Sequence, residues 1–169
     1  TFQYARELSS SVQSVTRVDD GAHADGAAGD GVYAGTIPAQ SSQTFVHYWV
    51  RAEDVDGRIT RYPYEDEPSS TQAYYHYNGE INTGITLFDL FLSTAALNKL
   101  TRDPYGGAYV DASVAIDGIA YPHIGVRLRG RGSRVNPKHQ WKFRFNRQQL
   151  YDGNRVLDTM LNRPYIQRA

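Results

Sequence analysis

The segment on either side of Asp117-Gly118 constrains the fold of this chain more than any other part of the sequence. Apolar side chains occupy every second position before that pair: Val110, Ala112, Val114 and Ile116. A period of two is the side-chain period of an extended strand with one buried face. Asp-Gly is a preferred two-residue turn between antiparallel strands. The sequence therefore predicts a β-hairpin with strands near residues 109–116 and 119–129.

A second alternating segment, "QWKFRFN" at 140–146, predicts another strand. Its aromatic residues fall on one face of an extended chain and its cations on the other. The aromatic residues are Trp141, Phe143 and Phe145, and the cations are Lys142 and Arg144. We therefore expect the aromatic side chains in a core and Lys142 on the opposite side of the sheet, directed toward residues 129–133.

A strand-like segment at 85–93 leads into a segment with the features of an α-helix. Ser93 or Thr94 can accept a hydrogen bond from the first free amide groups, as N-cap residues do. A second helix-like pattern begins near Val156. A strand, a helix and a hairpin in this order predict an α+β arrangement over residues 84–169.

Residues 12–62 are predicted to form short antiparallel strands. Phe45 and His47 fall on the same side of one of them, and "DVDG" at 54–57 is a strong turn signal. Short strands separated by such turns favour a small antiparallel β-sandwich. Fewer than the usual seven strands fit before Pro63, so we expect this sandwich to be partial.

The predicted fold class is therefore mixed β and α+β, with three segments. These are a partial antiparallel β-sandwich at 1–66, a linker strand at 67–83 and an α+β unit at 84–169. Residues 1–80 contain twelve Asp and Glu against five Lys and Arg, a formal −7, and residues 81–169 contain six against thirteen, a formal +7. This asymmetry indicates two units with different surfaces.

Several functional classes are excluded by composition. The chain has no cysteine, which rules out disulfide bonds and thiolate metal sites. No run of about 18 apolar residues occurs, so we expect no membrane-spanning helix. The five histidines show no paired spacing of the metal-binding or catalytic kind.

Seven cations lie in the segment "GVRLRGRGSRVNPKHQWKFRF" at 125–145. One interpretation is a solvent-exposed strand face, because the cations alternate with apolar residues and charged faces oppose aggregation. A phosphate-binding P-loop does not fit, because Arg131 and Gly132 stand where Lys and Ser or Thr are needed. Nucleic-acid binding fits poorly, because the aromatic residues would face away from the cations.

The same segment resembles the spore-coat protein CotH family of atypical secreted kinases. The matching residues, in order, are Arg129, Gly130, Ser133, Pro137, Lys138, Trp141, Lys142, Phe143 and Phe145. The resemblance covers about residues 84–150 and implies the N-terminal lobe of a CotH-like domain. It implies that Lys142 contacts nucleotide phosphates and that Arg129, Gly130 and Ser133 form the turn beside them. The asparagine of the family's turn is absent here.

A kinase needs a catalytic base and metal-binding carboxylates in a second lobe. After Lys142 the chain has only Asp152 and Asp158, and nothing that resembles a catalytic loop. We therefore expect ATP and magnesium to be relevant only where a C-terminal lobe is present. The 169-residue chain by itself is expected to be inactive.

The acidic loop, residues 18–35, has the sequence "VDDGAHADGAAGDGVYAG". Its carboxylates, Asp19, Asp20, Asp25 and Asp30, could bind calcium, which prefers several oxygen ligands on a flexible loop. The alternative is a long glycine-rich turn, because the EF-hand pattern is absent. The loop resembles one found in immunoglobulin-like modules of large secreted bacterial proteins, often directly before CotH-like domains. That resemblance implies an extracellular or cell-surface location.

Two functions remain open from the sequence. The first is a part of a secreted multidomain bacterial protein with a structural or attachment role at the cell surface, a matrix or a fibre. Its partners would be proteins or further copies of itself, with no nucleic acid and no membrane span. The alternative is the N-terminal part of a CotH-like kinase.

Overall fold

The computed structural model describes residues 1–67, 69–79, 86–135 and 139–152, and the backbone alone at 156–158 and 167–168. Within these ranges the chain forms two antiparallel β-sheets, one short α-helix and a 3-10 turn at Ser133–Val135. The predicted class, a β-rich mixed β and α+β fold, is confirmed. No helix in the described ranges is long and apolar enough to cross a membrane.

The first sheet has five strands. They are β1 (Phe2–Arg6), β2 (Gln13–Val15), β3 (Thr44–Glu53), β4 (Ile59–Tyr62) and β5 (Gln72–His76). Strand β3 is central and pairs with β1 on one side, and β2 pairs with the outer side of β1. On its other side β3 pairs with β4 near its C-terminal end and with β5 near its N-terminal end. Between β4 and β5 the Tyr62–Pro63 peptide bond is cis.

The turn predicted at 54–57 joins β3 and β4. The Gly57 N–H donates to the carbonyl oxygen of Asp54 over 3.1 Å. Gly57 has a φ of +79°, a conformation that glycine adopts without steric cost. At the start of the region predicted to form short strands, β2 ends at Val15, and Val18 forms only an isolated bridge with Ala34.

The second sheet is an antiparallel meander in which each strand pairs with the next in sequence. Its strands are β6 (Phe88–Phe91), β7 (Val110–Ile116), β8 (Ile119–Arg129), β9 (Gln140–Arg144), β10 (Val156–Asp158) and β11 (Gln167–Arg168). The predicted hairpin is confirmed as β7 and β8. Asp117 and Gly118 both have positive φ, +48° and +81°, as a turn matched to the strand twist requires.

Helix α1 (Thr94–Arg102) follows β6, as the sequence predicted. The Ser93 hydroxyl oxygen caps it by accepting the Ala96 N–H over 3.1 Å. Lys99 and Arg102 lie in the last turn, where cations are favoured by the helix dipole. The helix packs against the sheet through the buried side chain of Leu100.

The helix predicted near Val156 is wrong. Residues Val156–Asp158 form β10, which pairs with β9 from Arg144 to Lys142. The edge of β9 offers unpaired backbone groups, and a short helix is marginal by itself. Pairing along this edge therefore overrides the local helical pattern.

The main core lies between the second sheet and α1. It contains Leu100, Val110, Ala112, Val114, Ile116, Tyr121, Ile124, Val126, Leu128, Phe143 and Phe145, with Trp141 packed against it. All four alternating apolar residues of β7 are in this cluster, as are Phe143 and Phe145, and the partly buried Trp141 packs against it. The two-residue periods in the sequence thus identified its buried face correctly.

The two sheets pack face to face, in a β-sandwich-like arrangement. Phe45 of the first sheet forms a buried cluster with Ala115 and Ala120 of the second, and Phe91 and Tyr75 pack against it. The Tyr75 hydroxyl also donates to Asp89 over 2.7 Å. Strand β5, which lies in the predicted linker, therefore belongs to the first sheet and contacts the second. The domain boundaries themselves stay a prediction, and residues 80–85 lie outside the described ranges.

A β-bulge in β8 interrupts the hairpin opposite Ser113. Ala112 pairs with Ile124 and Val114 pairs with Tyr121, so two residues of β8 stand opposite one of β7. One of the two, His123, has a φ of +50°. The extra residue shifts the phase of the strand, so that Tyr121 and Ile124 both face the main core while His123 is directed at the first sheet.

Candidate functional site

The basic face consists of Arg127, Arg129, Lys142 and Arg144 on the adjacent strands β8 and β9. Arg127 pairs with Lys142, and their neighbours Val126 and Phe143 pair with each other. Val126 and Phe143 are buried in the main core, so the two-residue period places the cations on the opposite face. The prediction that Lys142 and Phe143 lie on opposite faces of the sheet is confirmed.

A tyrosine ring occupies part of the basic face. The guanidinium carbons of Arg127 and Arg144 lie 5.1 Å and 4.4 Å from the centroid of the Tyr109 ring. A Cβ atom on Gly125 would lie 3.1 Å from Cδ1 of that ring, so glycine leaves the space for it. Cation–π attraction thus holds two of the cations in place across the strands.

The turn after β8 is fixed by hydrogen bonds to its backbone. The Arg134 guanidinium donates to the carbonyl oxygens of Gly130 and, over 3.1 Å, of Pro104. The Ser133 hydroxyl stands where a Cβ of Gly130 would be, and Gly130 has a φ of +103°. Arg129, Gly130 and Ser133 are therefore neighbours at the end of β8, while Pro137 and Lys138 lie outside the described ranges.

We expect Gly130→Ala to lower the free energy of unfolding by about 1–2 kcal/mol, because it places a Cβ in the left-handed region and against the Ser133 hydroxyl. Gly132→Ala is the matched control, since nothing lies within 4 Å of its added Cβ. Urea unfolding followed by circular dichroism measures both variants. Equal stability of the two variants would contradict the described turn.

Two carboxylates of the acidic loop accept hydrogen bonds from backbone amides of the same loop. Asp19 accepts from the Gly29 and Gly31 amides over 2.7 and 3.0 Å. Asp30 accepts from Val32 and Ala27 over 2.8 and 2.9 Å. Backbone hydrogen bonds from the same two residues lower the pKa of Asp30. These contacts are those of a glycine-rich turn whose amides need acceptors.

Asp20 and Asp25 occupy the other end of the acidic loop. Asp25 is fully enclosed and accepts the Asp20 N–H over 2.6 Å. The Asp20 carboxylate lies 2.9 Å from Nδ1 of His23, and that hydrogen bond lowers the pKa of Asp20 and raises the pKa of His23. Among the described residues no three carboxylate or imidazole groups converge on a common point that could hold a metal ion. Calcium binding by the acidic loop stays a prediction.

A polar network, buried at His47, Thr71 and Ser113 and exposed at Asp111, crosses between the two sheets. Its members are Glu7, His47 and Thr71 from the first sheet and its flanking residues, and Asp111, Ser113 and His123 from the second sheet. We call this network, together with the apolar cluster around Phe45, the junction. A cavity of about 230 Å³ is lined by the residues of the polar network. A larger groove of about 740 Å³ beside α1 is lined by none of the predicted site residues.

Glu7 is the acceptor at one end of this network. Its Oε2 accepts the Ser113 hydroxyl over 2.7 Å and is hydrogen-bonded to Nε2 of His47. Burial raises the pKa of the Glu7 carboxyl, but the hydrogen bond and charge of His47, with the Ser113 hydrogen bond, outweigh it. The pKa of Glu7 therefore lies below its ordinary value of 4.5.

We expect the stability contributed by Glu7 to be present above about pH 4.5 and to be lost as the pH falls through its lowered folded-state pKa. The unfolded chain binds this proton at a higher pH than the folded chain does, so acid favours unfolding. Urea midpoints measured between about pH 5 and pH 3 should fall less steeply in Glu7→Gln than in the wild type. The exposed Glu65→Gln is the control and should follow the wild type; identical slopes in all three proteins would contradict the described network.

Sequence reasoning missed the junction. Glu7 and Ser113 are 106 residues apart, and His47 and Thr71 are 24 apart, so no spacing rule links them. The one local signal was Pro122-His123, because proline inside a strand often marks a bulge. The chain matches no model of a known protein family, and no curated protein is significantly similar to it.

Proposed function

We propose that this chain is a structural or attachment module of an extracellular bacterial protein, acting by its shape and surface and not as a catalyst by itself. The observation that carries this proposal is the junction. Two sheets that are separate in sequence share an apolar cluster and a hydrogen-bonded polar network, and β7 is buried on both faces. Such packing favours one stiff body, which is what a building block of a surface structure or fibre requires.

The surface of this body supports an attachment role. The basic face lies on the second sheet, and the acidic residues are concentrated in the first 80 residues. Opposed charges on one body favour oriented contacts with protein partners or with further copies, and such contacts weaken with salt.

Stretching single molecules of the chain between its two ends tests the structural role. If the junction makes one mechanical unit, both sheets should unfold in a single event that releases the whole chain length. Two well-separated events, one for each sheet, would show that the sheets are independent and would contradict the proposal.

A second candidate function is the nucleotide-binding half of a CotH-like kinase. The observation that favours it is the position of Lys142 on a strand, on the same face as Arg127 and Arg129, next to the turn that contains Ser133. In kinases a strand lysine pairs with nucleotide phosphates, and the base and metal ligands come from elsewhere.

Calorimetric titration of the chain with ATP and magnesium separates the two functions. The kinase candidate requires binding that is lost in Lys142→Ala and kept in Lys99→Ala, a matched lysine on α1. The structural proposal expects no phosphate release by the wild type or by either variant. Phosphate transfer by the 169-residue chain that depends on Lys142 would overturn it.

A further inference from the structure

The N-terminal end of strand β7 has a neighbouring strand on only one side. Strand β6 pairs with β7 from Ile116 back to Ser113, and the chain then leaves the sheet and enters α1. On the other side β7 stays paired with β8 as far as Val110. Within the described part of the chain, residues 110–112 therefore have an open edge on the side of β6.

The hydrogen bonds of the sheet fix which backbone groups meet this open edge. The Asp117 N–H donates to the carbonyl oxygen of Leu87 over 3.0 Å, so residue 117 faces the side of β6. In an antiparallel strand every second residue directs its N–H and C=O to the same side. Asp111 therefore directs both groups to the side of β6, beyond the point where β6 ends. No backbone group of another described residue is hydrogen-bonded to Asp111 on that side.

Two cavities lie along the open edge. One of about 430 Å³ lies between Asp111, the start of α1 and Leu8, and one of about 740 Å³ extends beside α1 to Gly106 and Ala108. The residues that line both cavities are Ala95, Lys99 and Val110. The two cavities thus adjoin, and we call them together the edge groove. Each has the volume of an ordinary ligand pocket.

Apolar side chains line the edge groove, and the charges at its rim nearly cancel. Ala95 and Leu100 of α1 lie on one side, and Leu8, which is 59% exposed, lies on the other. The rim carries two cations and three carboxylates, which are Lys99, Arg102, Glu7, Asp103 and Asp111. Glu7 is already hydrogen-bonded within the junction. An uncharged segment therefore fits the edge groove better than an anionic ligand does.

We propose that the edge groove binds an extended, uncharged peptide segment of a partner protein, which adds a strand to the second sheet beside Asp111. The inference rests on the proposed attachment role and assigns backbone pairing as its means. A strand added to a sheet edge gains affinity from main-chain hydrogen bonds and specificity from its alternate side chains. Here one set of side chains contacts Leu8, and the other contacts Ala95 and Val110.

Binding of a dye-labelled peptide of alternating valine and threonine, with blocked ends, tests the inference by fluorescence anisotropy on the full chain. Asp111→Pro removes the N–H that faces the edge groove, and proline is tolerated at a strand edge. It should weaken binding by about tenfold or more, as expected for a lost hydrogen bond. Asp111→Ala is the matched control, because it loses the same carboxylate and keeps the N–H, and it should bind as the wild type. Circular dichroism confirms that both variants are folded.

A second measurement uses the wild-type chain alone. The same peptide with N-methyl groups at alternate residues cannot donate hydrogen bonds along one edge, so it should not bind. The parent peptide should raise the hydrogen-exchange protection of the Asp111 amide. No binding of the parent peptide, equal binding of both peptides, or binding without protection at Asp111 would each overturn the inference.

A second copy of this chain is the other occupant that the experiment covers. Concentration-dependent dimers in sedimentation that Asp111→Pro dissolves and Asp111→Ala retains would overturn the partner peptide in favour of self-pairing. Failure of the peptide to bind leaves the structural proposal standing, because unfolding of both sheets in a single event under force does not depend on the open edge. Two separate unfolding events would overturn the structural proposal, whatever the peptide does.

Discussion

Phe143→Ala is expected to lower the free energy of unfolding by about 3–5 kcal/mol, the range for deleting a large buried aromatic side chain. Phe143 is 1% exposed and lies in the main core. Its ring stacks on that of Phe88, with the centroids 6.0 Å apart. The loss combines transfer of the ring to water with the cavity that the rigid sheet cannot fill. Urea unfolding followed by circular dichroism measures it.

Lys142→Ala is the matched control, one residue away on the same strand and on the opposite face. We expect its effect to stay within about 1 kcal/mol, since it removes no core side chain. A loss in Lys142→Ala as large as that in Phe143→Ala would contradict the register of β9. Because the two residues are adjacent, a general weakening of the strand cannot explain a difference between them.

Phe45→Ala is expected to cost a similar amount, about 3–5 kcal/mol, and to weaken the coupling between the sheets. Phe45 is 1% exposed, and its ring centroid lies 5.3 Å from that of Phe91, in the second sheet. It also forms a cluster with Ala115 and Ala120, whose small side chains cannot fill the vacated space. The cavity therefore opens between the sheets and not inside one of them.

The two tryptophans report this separation, because Trp49 lies in β3 and Trp141 in β9. In a Trp141→Phe background the fluorescence of Trp49 follows the first sheet during urea unfolding. In a Trp49→Phe background the fluorescence of Trp141 follows the second sheet. In Phe45→Ala the first sheet should unfold at lower urea than the second, whereas the two transitions should coincide in the parent proteins. Tyr62→Ala, at a residue 60% exposed on β4, is the control. Coincident transitions in Phe45→Ala would contradict a coupling role.

The sequence by itself determined the features that depend on residues close together in the chain. The turn at Asp117-Gly118 and the buried face of β9 were predicted correctly, and the N-cap is Ser93, one of the two residues that the sequence offered. Each depends on a side-chain period or on backbone geometry within a few residues. The same reasoning identified the basic face, because alternation separates Lys142 from Phe143 without knowledge of any other element.

Only the tertiary structure decided the bulge at His123, the strand at Val156–Asp158 and the junction. Alternation predicts a continuous β8, but the strand has an extra residue opposite Ser113, and His123 there contacts Thr71 beside the first sheet. The segment at Val156 became a strand because β9 had a free edge. The polar network brings Glu7 to Ser113 across 106 residues, and such contacts depend on how the two sheets pack. Local propensity is worth only a fraction of the energy of that packing, which is why the sequence pattern could not reveal it.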